Sequence, residues 1–317
     1  MILDDLKNEI EKAKTIAIFT HENPDGDAIG SSLAVYMALK NLKKEVDVII
    51  PEYPRTFAFL PCVEEIKKHT DIVYDLAIAV DCATEQRMRD PDHGFRQANT
   101  TIQIDHHEVN KMYADYNYVD PVSPACCQIL VKIMEYWKVP IDKKIGTCLL
   151  TGMITDTGGF QYQGVTSETF EIVAGLLDKG INISNIYRRV LCIVTKTQFE
   201  LQKLATSRLQ FFEDNRIVFT YITLEDEKNV QAEYGDYEGC VNIGRNIEGV
   251  EVSIFIREIP TGGYKVSMRS NDYINVSDIC LMFGGGGHMK AAGCTITTGT
   301  IEQIRDKIIH QIQHYLK

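Results

Sequence analysis

The sequence has no run of apolar residues long enough to cross a membrane, and it has fewer basic than acidic residues. A transmembrane helix needs about 20 consecutive apolar residues, so we expect no membrane partner. The chain has 33 Lys and Arg against 44 Asp and Glu, which gives a net charge of −11. Because capture of long nucleic acid depends on basic side chains that neutralise phosphates, this balance argues against a long nucleic acid as the partner. It is compatible with a small anionic substrate held through metal ions.

Cysteines that could form a framework are also lacking. The nine cysteines of the 317 residues are scattered, odd in number and without a C-x-x-C pair. This pattern excludes a regular disulfide scaffold and a thiolate zinc site, and it predicts free thiols in a reducing cytoplasm. The amino terminus, MILDDLKNEIEKAK, predicts an amphipathic helix rather than a signal peptide.

Up to about residue 160, short apolar runs alternate with helical patterns. Continuous apolar strands separated by helices indicate an α/β domain with a parallel sheet and helices on both faces. Ser123 is the predicted N-cap of one helix, with Pro124 as its first residue. The predicted strands are 16–20, 46–50, 76–81 and 101–105, and the predicted helices are 28–42, 124–137 and 143–154.

The second half of the chain has a different pattern. Residues 167–211 are predicted to be helical throughout, with Ser184 as a helix N-cap. The following pattern predicts a smaller α+β domain that ends in an amphipathic helix from Thr300. Its predicted strands are 217–223, 250–259, 264–269 and 293–297, with a short helix at 277–283 before the last of these strands.

Acidic and histidine residues follow several predicted elements of the first half. In a parallel sheet the ligand crevice lies outside the carboxyl ends of the strands, so these side chains are expected to meet there. The stretch HENPDGDAIGSS follows the first strand, LAIAVD and TIQID each end in an aspartate, and ITDTGGF follows a helix. The candidate residues are His21, Asp25, Asp27, Asp81, Asp105, His106, His107 and Asp156.

Each candidate has an ordinary structural explanation when it is taken alone. An aspartate after a strand is often a helix N-cap or a turn residue. Together, however, so many carboxylates in one crevice would repel one another unless cations lay between them. Oxygen and imidazole ligands without thiolates suit Mn²⁺, Mg²⁺ or Fe²⁺, and the carboxylate-rich mixture favours Mn²⁺. The number of ligands predicts two ions roughly 3.5 to 4 Å apart, as in phosphoryl hydrolysis, with Asp81 suited to bridge them.

The run GGGGH at residues 284–288 is a second candidate site. Glycines have no Cβ, so their backbone N–H groups can approach a phosphate closely. A tight hairpin between a helix and a strand is the structural alternative, and Arg269 could equally be an ordinary exposed arginine. We expect phosphate or terminal-nucleotide recognition by Gly285, Gly286, Gly287, His288 and Arg269.

These motifs, in this order, resemble those of a known superfamily. HENPDGDAIGS, AVDCA, DHH and ITDTGGF are similar to the four motifs of the DHH phosphoesterases, and GGGGHMKAAGC is similar to the signature of the DHH-associated C-terminal domain. The resemblance covers nearly the whole chain. It implies a DHH catalytic domain at residues 1–185, a helical linker at 186–205 and a DHH-associated substrate-binding domain at 206–317.

The resemblance also implies a role for each candidate residue. His21 and Asp25 would hold the first ion, and Asp81 would bridge to the second. Asp27, His106 and Asp156 would complete the second ion. Asp105 would orient an adjacent histidine, and His107 would contact the scissile phosphate or assist the leaving oxygen.

Among DHH proteins, the chain is similar to the stand-alone nanoRNase type. This implies hydrolysis of di- to pentaribonucleotides to mononucleotides, of 3′-phosphoadenosine 5′-phosphate (pAp) to AMP, or of both. The enzymatic alternative is a stand-alone phosphodiesterase for cyclic dinucleotides, pApA or pGpG. The non-enzymatic alternatives are a nucleotide sensor, which would not need a second metal ion, and a metal-storage protein. Relatives of this type imply a homodimer.

Overall fold

The computed structural model describes residues 2–88, 90, 92–162, 164–233, 235–237 and 239–316. The chain divides into two compact units, residues 1–193 and 194–317, and the predicted linker at 186–205 stays a prediction. Within the described residues, no helix combines the length and apolar character needed to cross a membrane. All nine cysteines are free thiols.

A six-stranded parallel sheet forms the centre of the first unit. The strand order is β3-β2-β1-β4-β5-β6, and every neighbouring pair runs parallel. The predicted parallel sheet is therefore confirmed, and the short strands β3 and β6 are additions to it. The strands are β1 Thr15–Phe19, β2 Glu45–Ile49, β3 Ile66–Lys67, β4 Leu76–Val80, β5 Thr100–Asp105 and β6 Tyr116–Val119.

Helices cover both faces of this sheet, but unequally. Ile16 and Ile18 of β1 belong to a large core that includes residues of α2, α4 and α5, whereas Ala17 and Phe19 belong to a small core with Phe95 of α3. The helices are α1 Ile2–Lys12, α2 Gly26–Asn41, α3 Gly94–Gln97, α4 Cys126–Tyr136, α5 Lys143–Asp156, α6 Ser167–Leu177 and α7 Ile183–Tyr187. Short 3₁₀ turns lie at Arg55–Phe57, Val63–Glu65 and Glu85–Arg87, and a π-helical turn lies at Arg188–Cys192.

Three local predictions were wrong. Helix α4 begins at Cys126 rather than Pro124, and the hydroxyl of Ser123 donates to the carbonyl of Ala125 instead of capping the helix. The N-cap of α7 is Asn182, not Ser184. Residues 167–211 are not helical throughout, because the non-helical segments 178–182 and 193–195 and the start of a strand at Gln210 interrupt them. In α4 the cap comes from a distant side chain, which local sequence does not indicate.

The second unit contains a mixed six-stranded sheet in the order β11-β12-β10-β9-β8-β7. In the described part of this second sheet, only the β8–β9 pair is parallel. The smaller α+β domain is thus confirmed, and its last helix begins at Ile301, one residue after the predicted start, with Thr300 as its N-cap. The strands are β7 Gln210–Phe212, β8 Ile217–Ile222, β9 Val252–Glu258, β10 Tyr264–Ser270, β11 Gly286–His288 and β12 Ala291–Ile296. The helices are α8 Lys196–Ser207, α9 Leu224–Asn229, α10 Cys240–Arg245, α11 Val276–Leu281 and α12 Ile301–Gln313.

Candidate metal centre

The candidate residues of the first unit meet where the strand order of its sheet reverses. The chain proceeds outward from β1 to β3 and then returns to place β4 on the other side of β1. A crevice opens at the carboxyl ends of the strands at such a point. His21 follows β1, Asp81 follows β4, and His106 and His107 follow β5. The topology therefore brings together residues that lie far apart in the sequence.

The two aspartates of the first loop have different surroundings. Asp25 is exposed and is the N-cap of α2, where its Oδ1 accepts from the backbone N–H groups of Asp27 and Ala28 at 3.0 and 3.1 Å. Asp27 is fully buried, and its two oxygens accept from the backbone N–H groups of Cys126 and Cys127 at 2.6 and 2.9 Å. Asp27 is thus the capping carboxylate of α4, where the positive end of the helix dipole favours its negative charge.

A close contact between α2 and α5 sets the position of Asp27. At Gly152 of α5, an added Cβ would lie 2.3 Å from Cys127 Sγ and 2.6 Å from Asp27 Oδ1. Only glycine fits at this distance. Gly152 is therefore a site-supporting residue that the sequence did not reveal, because its partners are remote in the chain. Asp156 ends the same helix, four residues later, and reaches the same cluster.

His106 lies at the centre of the carboxylates. Its Nε2 is 3.3 Å from Asp156 Oδ2, 3.4 Å from Asp81 Oδ1 and 3.9 Å from Asp27 Oδ2. Its Nδ1 is 3.1 Å from the carbonyl oxygen of Ser123. Since a carbonyl can only accept, Nδ1 carries a proton, and in the neutral ring Nε2 is then available as a ligand atom.

Asp81 has an unusual backbone for an aspartate at the end of a strand. Its φ is +52°, in the left-handed region, and its backbone N–H donates to the carbonyl of Ile104 at 3.0 Å. Its Oδ2 is 3.7 Å from His21 Nε2. Asp81 Oδ1 and His21 Nδ1 are buried without a hydrogen-bond partner in the described part of the chain. Unsatisfied buried polar atoms are rare and are typical of places that bind an ion.

Burial and neighbouring charges move the pKa values of this cluster in opposite directions. Burial, reinforced by the charge of Asp81, raises the pKa of Asp27 to about 7. Burial and Asp27 also raise the pKa of Asp156 well above its ordinary value. Burial disfavours ionised Asp81, but the His106 and His21 imidazoles hold its pKa well below the ordinary value. Burial lowers the pKa of His106, and the surrounding carboxylates outweigh this and raise it well above its usual range. Without metal, the cluster thus retains protons that a divalent cation would displace.

Asp105 and His107 form a pair beside this cluster. His107 Nδ1 lies 2.8 Å from Asp105 Oδ1 and 3.7 Å from Asp81 Oδ1. The other oxygen of Asp105 accepts from the side chain of Asn110, a residue that the sequence did not single out. Burial lowers the pKa of His107, but the hydrogen bond to Asp105 and the charge of Asp81 raise it overall.

Among the residues that the structure describes, three groups of side chains could each hold a cation, with the ligand atoms of a group within 4.8 Å of one another. Asp81 and His106 each belong to two of these groups, so two neighbouring cations could share ligands. The groups are His21, Asp25 and Asp81; Asp27, His106 and Asp156; and Asp81, His106 and His107. The structure thus brings all six predicted metal ligands together in one cluster.

The glycine run of the second unit leads into the edge strand β11, so the tight hairpin given as the structural alternative is present, and the phosphate-binding role stays a prediction. Gly286 to His288 pair with β12, and glycine is required by close packing at two positions. A Cβ added at Gly285 would lie 2.2 Å from the carbonyl oxygen of Gly293, and a Cβ added at Gly287 would lie 2.5 Å from the carbonyl oxygen of Ala291. At Gly286 it would meet no atom closer than 3.9 Å, so packing does not explain that glycine.

Arg269 and His288 lie on one face of the sheet. Each is paired in register with Ala291, and directly paired residues of neighbouring strands point to the same side. His288 is exposed, and the half-buried Arg269 donates through Nη1 to the carbonyl of Met268 at 3.0 Å. The sheet register thus brings together two residues that are 19 positions apart in the sequence.

Comparison with known proteins identifies the family. Residues 15–153 match the N-terminal domain of the DHH family, and residues 214–314 match the DHHA1 domain. A bifunctional oligoribonuclease and PAP phosphatase NrnA from Thermus thermophilus is 33% identical, over 95% of this chain and 90% of the relative. The chain belongs to the DHH family. The family resemblance read from the sequence is therefore confirmed, as is the hydrolase class, since DHH proteins are phosphoesterases.

Solved structures agree with this assignment. An exopolyphosphatase-related protein from Bacteroides fragilis has a TM-score of 0.89 and 29% identity to this DHH protein, over 98% of this chain and 94% of that chain. RecJ from Thermus thermophilus in complex with Mn²⁺ has a TM-score of 0.52 and 15% identity, over 99% of this chain and 54% of that chain. The second likeness shows a shared fold only.

Proposed function

We propose that this DHH protein is a metal-dependent phosphoesterase that hydrolyses di- to pentaribonucleotides to mononucleotides and pAp to AMP. The observation that carries the proposal is the convergence of candidate cation-binding groups that share Asp81 and His106. The relative from Thermus thermophilus, named as an oligoribonuclease and PAP phosphatase, supports this choice of substrates. The net charge of −11 supports short substrates over long strands.

The donor atoms fit a pair of divalent cations. His21 and Asp25 would hold one ion, Asp27, His106 and Asp156 would hold the other, and Asp81 would be shared. The buried Asp81 Oδ1 supports this fit, because it lies among ligand atoms, with His106 Nε2 at 3.4 Å, and no hydrogen bond of ordinary geometry satisfies it in the described part of the chain. When bound, the cations, Mn²⁺ by ligand type, would supply Lewis acidity and a water molecule of lowered pKa.

The side chains around the cations would orient the substrate and move protons. Asp105 would hold the Nδ1 proton of His107 and so fix the ring beside Asp81. His107 would then contact the scissile phosphate or protonate the leaving oxygen, a role that its raised pKa supports. In the second unit, Arg269 and His288 would contact a phosphate or the terminal nucleotide of the substrate. The unexplained glycine at 286 would let the backbone of β11 approach that group.

A substrate panel tests this proposal directly. Purified protein with Mn²⁺ would be given pAp, RNA di- to pentamers, pApA, pGpG, cyclic-di-AMP and a long RNA. We expect turnover of pAp and the short RNAs, and little of the long RNA. Turnover confined to cyclic dinucleotides or to pApA and pGpG would show instead a dedicated signalling phosphodiesterase, and binding without turnover would show a sensor.

An Asp81→Asn variant is the matched control for the panel. It keeps the size of the side chain and tolerates the left-handed backbone at this position. We expect it to lose turnover on every substrate, since the shared ligand would be weakened. Retained Mn²⁺-dependent turnover would contradict the bridging role of Asp81.

A further inference from the structure

Asn110, in the connection between β5 and β6, joins two parts of its loop through its side chain. Its Nδ2 donates to Asp105 Oδ2, and its Oδ1 accepts from the backbone N–H of Met112 at 2.6 Å. Asp105 is fully buried, and its Oδ1 faces His107 Nδ1 at 2.8 Å. Asn110, Asp105 and His107 therefore form one continuous chain of hydrogen bonds that ends beside the candidate metal centre.

The orientation of Asp105 depends on this contact. Among the described residues, Asn110 and His107 provide the side-chain hydrogen bonds to Asp105. A carboxylate can rotate about its last bond, but with Oδ2 held by Asn110 its Oδ1 stays aimed at His107. The loop is itself anchored, because the backbone N–H of Lys111 donates to the carbonyl of Ala83 at 3.1 Å. Asn110 thus transmits a fixed backbone position to the Asp105 carboxylate.

His107 has a second carboxylate within reach. Asp81 Oδ1 lies 3.7 Å from the same Nδ1 that Asp105 binds at 2.8 Å. If Asp105 turned away, the N–H of His107 could bind Asp81 instead and compete for the atom proposed to be shared by the cations. The geometry of Asp105 therefore decides which carboxylate His107 binds.

We infer that Asn110 is a positioning residue that holds Asp105 so that His107 donates its Nδ1 proton to Asp105 and not to Asp81. Its link to catalysis rests on the proposed function, in which His107 acts at the phosphate. The side chain of Asn110 binds Asp105 and the backbone N–H of Met112, and Asp105 does not belong to any of the candidate cation-binding groups. The loss of Asn110 should consequently affect turnover more than metal binding.

Two substitutions separate positioning from folding. Asn110→Asp has the same shape and keeps an oxygen for the Met112 N–H, but it replaces the donor to Asp105 with an acceptor. Asn110→Ala removes both contacts. The control is Glu108→Ala, an exposed residue of the same loop without a side-chain hydrogen bond in the described structure.

Two measurements follow for each variant, the first of which needs no substrate. Protein labelled with ¹⁵N at its eight histidines would show the Nδ1–H resonance of His107, assigned by its loss in His107→Gln. We expect this resonance in the wild type and in Glu108→Ala, and its shift or loss through solvent exchange in both Asn110 variants. The second measurement is steady-state turnover of pAp together with the dissociation constant of Mn²⁺. We expect kcat to fall about 10- to 100-fold, while KM and the Mn²⁺ constant change less than about twofold.

A double-mutant cycle with Asp105→Asn completes the test. If Asn110 acts through Asp105, adding Asn110→Ala to Asp105→Asn should lower kcat little further. An unchanged His107 resonance in both Asn110 variants would overturn the inference, as would fully additive losses or an equal loss of Mn²⁺ affinity. If the wild type hydrolysed no substrate, the proposed function would fail, and the resonance would still decide whether Asn110 positions His107.

Discussion

Neutralising Asp27 should change the stability of the metal-free protein in a direction that depends on pH. An acid whose pKa is higher in the folded than in the unfolded state binds its proton more tightly when folded. The free energy of unfolding therefore falls as the pH rises from about 4 to 7, and the whole loss is present above about pH 7. A rise from the ordinary value of 3.8 to about 7 corresponds to about 4 kcal/mol at pH 8. The two backbone N–H groups that bind Asp27 favour the carboxylate and oppose part of the rise in its pKa.

The substitution Asp27→Asn removes this penalty and introduces a smaller one. The carboxamide must turn its NH₂ group towards the N–H of Cys126 or Cys127, which costs about 1 to 3 kcal/mol. At pH 5, where Asp27 of the folded protein is protonated, the variant should be the less stable protein. At pH 8 the difference in free energy of unfolding between the wild type and the variant should be smaller by about 2 to 4 kcal/mol, so that the variant becomes about as stable as the wild type or more stable.

Urea unfolding in EDTA at pH 5 and pH 8 measures both differences. The single tryptophan of the chain, Trp137, lies in the first unit and donates to the carbonyl of Leu3 at 2.9 Å, so its fluorescence reports on that unit. Asp81→Asn is the matched control with the opposite expectation. Because His106 and His21 stabilise ionised Asp81, its neutralisation should destabilise the protein at both pH values. If the free energies of unfolding of the wild type and Asp27→Asn differed by the same amount at both pH values, the raised pKa of Asp27 would be refuted.

Three further predictions concern packing, metal uptake and the second unit. Gly152→Ala should lower the free energy of unfolding by about 1 to 3 kcal/mol, because the added Cβ would clash with Asp27. In the control Gly175→Ala, where no atom lies within 4 Å of the added Cβ, urea unfolding should show equal or higher stability. Mn²⁺ binding should tighten from pH 6 to pH 8 and release protons, since the raised pKa values of Asp27 and Asp156 leave protons for the metal to displace. Calorimetry in two buffers of different ionisation enthalpy measures the proton release, and a pH-independent dissociation constant for Mn²⁺ would exclude this coupling. His288→Ala should raise KM for pAp with little change in kcat, whereas an unchanged KM would remove His288 from substrate binding.

The sequence was informative where a local pattern and the topology of the sheet coincide. Strands β1, β4 and β5 are short apolar runs, and in a parallel sheet their carboxyl ends must meet at one edge. The sequence alone therefore predicts that His21, Asp81 and His106 lie in one crevice. Their assignment to particular ions stays a prediction that metal binding must test.

The supporting residues were missed because their partners are remote in the chain. Asp27 caps a helix that begins 99 residues later, and this contact explains why Ser123 is not the cap. Glycine is required at position 152 because α2 and α5 are in close contact there. No short window of sequence contains either relationship. Asn110 was closer to recognition, since it lies five residues after Asp105, but its bond requires a loop that folds back on itself.

The glycine run shows the opposite difficulty. Glycine disfavours regular strands, so the sequence did not predict a strand at GGGGH. Backbone pairing with β12 overrides this preference, because the close approach of the two chains leaves no space for a Cβ at Gly285 or Gly287. Gly286 is the glycine that such packing does not explain, so it is the position at which Gly286→Ala would separate ligand recognition from folding.

The hydrogen bonds from the backbone N–H groups of Cys126 and Cys127 to Asp27 connect the first turn of α4 to the protonation and metal occupancy of the crevice. Any cation that draws electron density from the Asp27 carboxylate must weaken its hold on these two amide protons, and protonation of Asp27 must do the same. Amide chemical shifts and hydrogen-exchange rates at residues 126 and 127 would therefore record occupancy of the crevice without a substrate or an added label. The start of α4 would serve as an internal sensor against which candidate metals could be ranked.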